Sequence, residues 1–484
     1  MTAERILGVD VGTTSVKAGM MDLRGNALGR FASGYPTQRP GGPRAEQDAG
    51  DWIRLVEQAI ATLADGAPVQ AVGLTSQVNT HLFVGADGAP LMPAIVWQDT
   101  RASAEAAELD ASVSDAQKIA WWGAPMPIDA SNVLSRMLWV ARHRPDVWAA
   151  TRWVMLPKDF IIYRLTGEVT TDPVSNIGLV GPDMTYVDAV FDLVPGARDK
   201  APALVPVTEV TGRVRAGPLA GVPVISGTMD AWTGLVGCGG ARDRSTVYLS
   251  GTSEVMGISS REGAGTPGVI VFPQVEGIRV HAAPTQSGGD ALAWYTQMSG
   301  RSHDEVSALA AGPRRAGTPL FLPQLEGERA PLWDAGLRGA FLGLTRRTGD
   351  AEMARAVLEG VALSARHALE AARASAAIGP GPITCGGGGF RSAPWAQIRA
   401  DVLGCELSTL AEKDPGILGA AMLAAVGAGV FDAIGTAWDE LARFDATYAP
   451  DPGLSGLYDD LFGLYCEAVT THGALGQRLA GMSE

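Results

Sequence analysis

Lysine and cysteine are scarce in this chain, and what is missing removes several functions before any motif is weighed. Five of the 38 basic residues are lysines and none of the five follows a glycine, so the phosphate-binding Gly-Lys-Ser/Thr loop is absent. The four cysteines (Cys238, Cys385, Cys405 and Cys466) include no CxxC pair. Neither a disulfide framework nor a zinc site is indicated, and a reducing cytoplasm fits. His81 and His143 have no His, Cys or Glu partner at metal-ligand spacing and read as packing or surface residues. Basic residues form no run and the formal net charge is −14, which argues against nucleic acid and makes acidity a matter of solubility. The apolar stretch in MTAERILGVD is too short for a signal peptide. The longest apolar run, 417–431, falls short of a membrane span, and its Gly and Ala content predicts a buried helix close against a neighbour.

What is present begins with length: 484 residues suit two domains, each burying a large core. The stretch Ile6 to Asp22, ILGVDVGTTSVKAGMMD, reads as a strand, a tight turn and a second, antiparallel strand. Gly12 permits close backbone approach, and the turn amides with the Thr13 and Thr14 hydroxyls offer donors to an anion. Asp10 ends the first strand, where a carboxylate can hold hydrated Mg²⁺ beside a phosphate. A plain hairpin with one solvated Asp is the competing reading. The pattern recurs at 246–258, TVYLSGTSEVMGI, around Ser250, Gly251, Thr252 and Ser253. Two such hairpins, each opening half of the chain, predict two related domains that share one nucleotide.

In the first half, Trp52, Leu55, Val56, Ala59, Ile60 and Leu63 follow helical spacing and predict a helix covering a sheet. Strands are predicted over 69–75, 80–84 and 94–97, with a hairpin turn at Ala86-Asp87-Gly88, all in one mixed sheet. Polar clusters stand at two strand ends, Ser76-Gln77-Val78-Asn79 and Trp97-Gln98-Asp99-Thr100-Arg101. Open α/β sheets bind ligands at strand ends, and amides, a carboxylate and an indole face suit a polyhydroxylated one. Asp99 is equally placed to cap a helix starting near Arg101.

In the second half, a strand over 222–226 leads into Gly227-Thr228-Met229-Asp230, which opens a helix. An Asp in the first helical turn is common for dipole reasons alone. In a ligand site the same carboxylate accepts a proton from a substrate hydroxyl. Trp232 faces either a ligand or the core. A strand over 381–385 runs into Gly386-Gly387-Gly388-Gly389 and then a helix over 393–403. Such a junction lets a nucleotide lie against backbone amides, or is simply a flexible turn.

Four separated segments, DVGTTSVK (10–17), SGTMDAWTGLVGCG (226–239), YLSGTS (248–253) and GGGGFRSAPW (386–395), together resemble the FGGY carbohydrate kinase family. PAIVWQDTR (93–101), LPKDFIIYRLTG (156–167), ARAVLEGV (354–361) and GILGAAMLAA (416–425) support the match, which runs in family order along nearly the whole chain. It is nearest to the family's xylulose-phosphorylating branch. The resemblance implies an α/β protein of two ribonuclease-H-like domains, of the actin and hexokinase ATPase type, with an interdomain cleft. Residues 1–240 would form the sugar-binding domain with the first phosphate hairpin, and 241–484 the nucleotide-binding domain.

The resemblance also distributes roles. Asp230 corresponds to the catalytic base, and Asp10 with Asp230 to the Mg²⁺ site. Gly12, Thr13, Thr14, Lys17, Gly251, Thr252, Ser253, Gly388, Gly389 and Ser392 correspond to ATP-binding positions. Gln77, Asn79, Trp97 and Asp99 fall where the family binds its sugar. Glycerol kinases carry an Arg-Glu pair where this chain has Val78 and Asn79, which disfavours glycerol. Asn79 and Ala231 also depart from the xylulose branch, which has a His and an Asn or Gln there. The implied reaction is ATP-dependent phosphorylation of a primary hydroxyl of a ketopentose, D-xylulose first, with ribulose, erythritol, arabinitol and glycerol as alternatives. The rival class is an actin- or chaperone-type ATPase without sugar transfer. Small molecules are the expected partners, and a homodimer the expected assembly.

Overall fold

In the computed structural model, which describes residues 4–480 and 482, the opening apolar run forms β1 (Arg5–Val11) and β2 (Ser15–Asp22), paired antiparallel with Val11 opposite Val16. β3 (Ala27–Gly34) extends this meander. Helix α1 (Ala49–Leu63), capped by the Asp48 carboxylate, buries Trp52, Leu55, Val56, Ala59, Ile60 and Leu63 as their spacing predicts. β4 (Val69–Ser76) then runs parallel to β1. Helix α2 (Pro157–Thr166) and the strands β5 (Val210–Arg213) and β6 (Pro223–Met229) come next, and α3 (Asp230–Leu235) starts directly from β6. The six strands lie in the order β5-β6-β4-β1-β2-β3.

Two predicted strands exist but stand elsewhere. Leu82–Gly85 pairs with Thr151–Met155, and Ala94–Ile95 with Glu46–Gln47, each as a separate two-stranded sheet. Hydrophobic runs specify an extended, buried segment; which strand they pair with is decided by chain far away in sequence.

The second unit repeats the plan. β7 (Thr246–Ser250) and β8 (Glu254–Ser260) form its hairpin, followed by β9 (Ile270–Val271) and β10 (Arg279–Pro284). The long helix α4 (Asp350–Ala376), then β11 (Ile383–Gly386), α5 (Ala393–Leu403), β12 (Leu407–Leu410) and β13 (Phe444–Tyr448) complete it. Its strand order is β9-β10-β8-β7-β11-β12-β13. Without β9, the sequence of antiparallel and parallel pairings matches that of the first sheet.

A single cut at residue 240 does not describe the units. One comprises Met1–Gly237 with Gly416–Leu441, the other Cys238–Pro415 with Ala442–Glu484. The Gly/Ala-rich run is a helix, Pro415–Gly427, and most of it belongs with the first sheet because strand glycines there admit it. A Cβ on Gly73 would stand 1.9 Å from the Ala420 carbonyl oxygen, and one on Gly8 2.3 Å from that of Ile417. Among the described residues no helix is long and apolar enough to cross a membrane.

Candidate active site

The first unit gathers polar groups where β1, β4 and β6 end. In the β1–β2 turn the Gly12 amide donates to the Ser15 carbonyl at 3.1 Å, and the Tyr35 amide to that of Thr14 at 3.1 Å. Thr13 is partly buried and Thr14 exposed. Lys17 stands opposite Asp10 in the β1–β2 register, so the two side chains share a face. Asp230 begins α3 straight from β6 and is partly buried. Burial and then the Asp10 carboxylate push its proton affinity up to about 8, although the backbone amides of Ala231 and Val78 pull the other way. Two carboxylates that sense each other are thus held at the ends of β1 and β6, the strands on either side of β4.

The four sugar candidates stand in different surroundings. Trp97 is 40 % exposed, and its indole N–H donates to Thr13 Oγ1 at 3.0 Å. Gln77 is buried and donates to Gln47 Oε1 at 2.7 Å, while its own Oε1 is buried without a partner. Asn79 adopts φ 41° and donates to Ser131 Oγ at 3.1 Å. Asp99 is different. Its side chain is fully buried, accepting from the Ala45 amide and from the Arg101 guanidinium at 2.6 Å. It also accepts the Arg101 amide at 2.9 Å, in the turn that leads into the helix Ser103–Ser112, whose own cap position is Ala102. Trp232 resolves toward the core, 2 % exposed.

Several supports carry no clear signal in the sequence. The Tyr35 hydroxyl donates to the Gly12 carbonyl, and burial followed by the Asp10 and Asp230 charges raises its proton affinity. Gln47 ties the site together: it donates to the Thr13 carbonyl at 2.8 Å and accepts from Trp52 and Gln77. A polar residue just ahead of an amphipathic helix is the one signal for it, and a faint one.

The second unit presents donors without carboxylates at the matching place. Gly251 and Thr252 are exposed and Ser253 half-buried. Their turn is fixed by backbone bonds, Gly251 N–H to Ser253 O at 2.9 Å and Gly289 N–H to Gly251 O at 2.9 Å. The glycine run between β11 and α5 presses onto β7. Gly387 sits at φ 102°, where a Cβ would meet the Ser250 carbonyl oxygen at 2.2 Å, whereas Gly388 is exposed with open space around it. Ser392 caps α5, accepting from the Trp395 amide, and its Oγ lies 2.5 Å from that of Ser307.

Behind these turns lies Arg399, also unforeseen. Fully buried, it donates to Ser250 Oγ at 2.7 Å, Glu254 Oε1 at 2.9 Å and the Gly389 carbonyl at 2.9 Å, 3.8 Å above the Trp395 ring. One guanidinium therefore joins the β7–β8 hairpin to the glycine run.

Known proteins resemble this chain over most of its length. Models of the FGGY family of carbohydrate kinases match the chain twice, the N-terminal domain over residues 5–237 and the C-terminal domain over 246–428. The xylulose kinase of Escherichia coli (strain K12) is 32% identical over 441 residues, covering 87% of this chain and 90% of its own. The ligand-bound xylulose kinase from Lactobacillus acidophilus superposes with a TM-score of 0.88 at 25% identity, over 98% of this chain and all of its own. A gluconate kinase from the same organism gives 0.88 at 25% identity over 99% of this chain and 100% of its own.

Proposed function

The chain belongs to the FGGY family of carbohydrate kinases, with that family's two-domain, actin- and hexokinase-like α/β fold, and from that premise we propose that it transfers the γ-phosphoryl group of ATP to a primary hydroxyl of D-xylulose, giving D-xylulose 5-phosphate. The observation that carries this reading is the carboxylate pair: Asp230 opens α3 straight from β6, near enough to Asp10 at the end of β1 for the two charges to interact, and so stands where it can take the proton of a bound hydroxyl. Xylulose is the substrate named for the E. coli and Lactobacillus relatives.

The pair also suits Mg²⁺. Among the described residues no three acidic, His or Cys side chains cluster as a metal site, and two like charges beside a phosphate turn are what this ion accepts, completing its shell with water and phosphate oxygens. Asp10 and Asp230 would hold it; when bound, it would neutralise charge on the transferring phosphoryl group. The turn amides with Thr13, Thr14 and Lys17 bind phosphate in the first unit; Gly251, Thr252 and Ser253 do so in the second. Gly388 and Gly389 carry the adenosine, and Ser392 shapes that segment as a cap. Trp97 covers the sugar carbons, while Gln77 and Asn79 bind its hydroxyls. Asp99 serves by orienting Arg101. A homodimer in the cytoplasm is the setting this reading carries, suited to four free cysteines and testable by light scattering.

The test is sugar-dependent ADP release over a panel of D-xylulose, ribulose, erythritol, arabinitol, gluconate and glycerol, for wild type and Asp230→Asn. Turnover with xylulose that collapses in the variant supports the proposal. Turnover with another member reassigns the acceptor, and equal hydrolysis with and without every sugar points to the ATPase.

A further inference from the structure

Of the five lysines in the chain, Lys158 is wholly buried, beside two carboxylates that are also out of solvent. Its Nζ lies 2.6 Å from Asp159 Oδ1 and 2.8 Å from Asp172 Oδ2, with side-chain exposures of 0, 2 and 0%. Burying three charges is a poor route to stability, since apolar residues of similar volume do as well or better. The cluster's hydrogen bonds show what else it holds.

Asp172 Oδ1 accepts the Thr228 hydroxyl at 2.7 Å. The Thr228 carbonyl in turn accepts the Thr75 hydroxyl at 2.7 Å. Ser76 Oγ accepts the Lys158 backbone amide at 3.2 Å. Thr228 lies two residues before Asp230 on β6; Thr75 and Ser76 come just before Gln77 on β4. These ties matter because the β4–β6 ladder is irregular at this point: its register shifts between Ile225 and Thr228. A break of this kind frees a strand end from its ladder and re-aims the residues beyond it.

We propose that the buried cluster of Lys158, Asp159 and Asp172 is the positioning element of the acceptor site, fixing the end of β6, and so Asp230, against the end of β4 through the Thr228 hydroxyl. The inference rests on Asp230 as the base. Lys158 acts from behind and touches no reacting atom.

Removing Lys158 would leave two buried carboxylates facing each other and endanger folding, so the decisive variant is Thr228→Val, which deletes one hydroxyl at nearly constant volume. Thr166→Val is the control, a buried hydroxyl on α2 that donates to the Ile162 carbonyl and accepts the Glu168 amide just past the helix. Expected for Thr228→Val is a fall in kcat of about 10- to 100-fold, the size of effect that small misplacement of a reacting group produces. Its sugar KM and melting temperature should stay close to those of Thr166→Val, and Thr228→Ser, which restores the hydroxyl, should recover kcat. Thr228→Val turning over like Thr166→Val, beside an inactive Asp230→Asn, overturns the proposal and leaves the base standing. Full turnover in Asp230→Asn removes the base reading itself, and the positioning role with it.

Discussion

The two hairpins repeat one backbone device and differ in what stands two residues before the first turn glycine. In β1 that residue is Asp10; in β7 it is Leu249. Both turns begin with a glycine amide donating back to a carbonyl across the turn, at 3.1 and 2.9 Å, and both offer hydroxyls. The first adds a carboxylate coupled to Asp230, while the second backs its turn with Arg399 and a Glu254 already paired to it. On the proposed reading, one scaffold serves as a reacting site in one unit and a binding site in the other, through side chains that the sheet topology leaves free to change.

Asp230→Asn sharpens that division most. Loss of a general base removes roughly 10²–10⁴-fold in kcat, with sugar affinity by calorimetry nearly unchanged. The counterpart in the second hairpin, Thr252→Val, should raise KM for ATP about 10-fold, the worth of one hydrogen bond to a charged group, and leave kcat nearly alone. If both variants lost kcat equally, the hairpins would not be divided in this way.

Next in size is Arg399→Met. It strands the buried Glu254 carboxylate and the Gly389 carbonyl, and breaking a buried pair costs about 3–5 kcal/mol, read as a lower denaturant midpoint. Arg399→Lys should recover only part of this, because a compact ammonium cannot reach three acceptors while lying across an indole. Full recovery would mean that charge alone matters in the second unit.

A carboxylate from each unit separates buried from surface electrostatics. Burial pushes Asp99 up, but the Arg101 guanidinium and the Ala45 and Arg101 amides outweigh it and hold the carboxyl below its ordinary 3.8. Asp445, paired with Lys413 in the second unit, is also lowered despite its own desolvation, yet its side chain is 42% exposed. A depressed folded value gives stability that is present above 3.8 and lost as pH falls through the lower folded value. Asp99→Asn should therefore destabilise by roughly 1.5–3 kcal/mol near neutral pH, and the gap to wild type should close on acidification. Asp445→Asn should change stability by about 0–1 kcal/mol at any pH. Urea midpoints measured at neutral and acidic pH decide it; equal losses for both variants would erase the distinction.

The hairpins, α1, the β6-to-α3 junction and the glycine run were legible in sequence because turn chemistry and hydrophobic period are local. Partners of Leu82–Gly85 and Ala94–Ile95 were not, nor was the placement of Pro415–Gly427 on the first sheet, since both depend on surfaces supplied from distant chain. The site divided along the same line. Asp10 and Asp230 announce themselves beside turn residues, whereas Tyr35, Gln47, Lys158 and Arg399 lie in segments whose local pattern fits an ordinary strand edge or helix. Asp99 was conspicuous beside Trp97, but its burial under Arg101 is a property of the folded loop.

The smallest effect tests how the first hairpin is braced. Side chains bond directly to Thr13 of its turn, the Trp97 indole to Oγ1 and Gln47 to the carbonyl, while the Gly251 and Thr252 carbonyls of the second turn accept the backbone amides of Gly289 and Asp290. Trp97→Phe keeps an aromatic face for the sugar and deletes only the N–H. Thr13 Oγ1 then loses its donor at a partly exposed position where water can replace it, so the expected loss is about 1 kcal/mol, roughly 5-fold in kcat/KM. The loss should fall on ATP rather than on the sugar, because Thr13 belongs to the phosphate turn. A rise confined to the sugar KM would show that the indole serves the acceptor directly and does not brace the first turn.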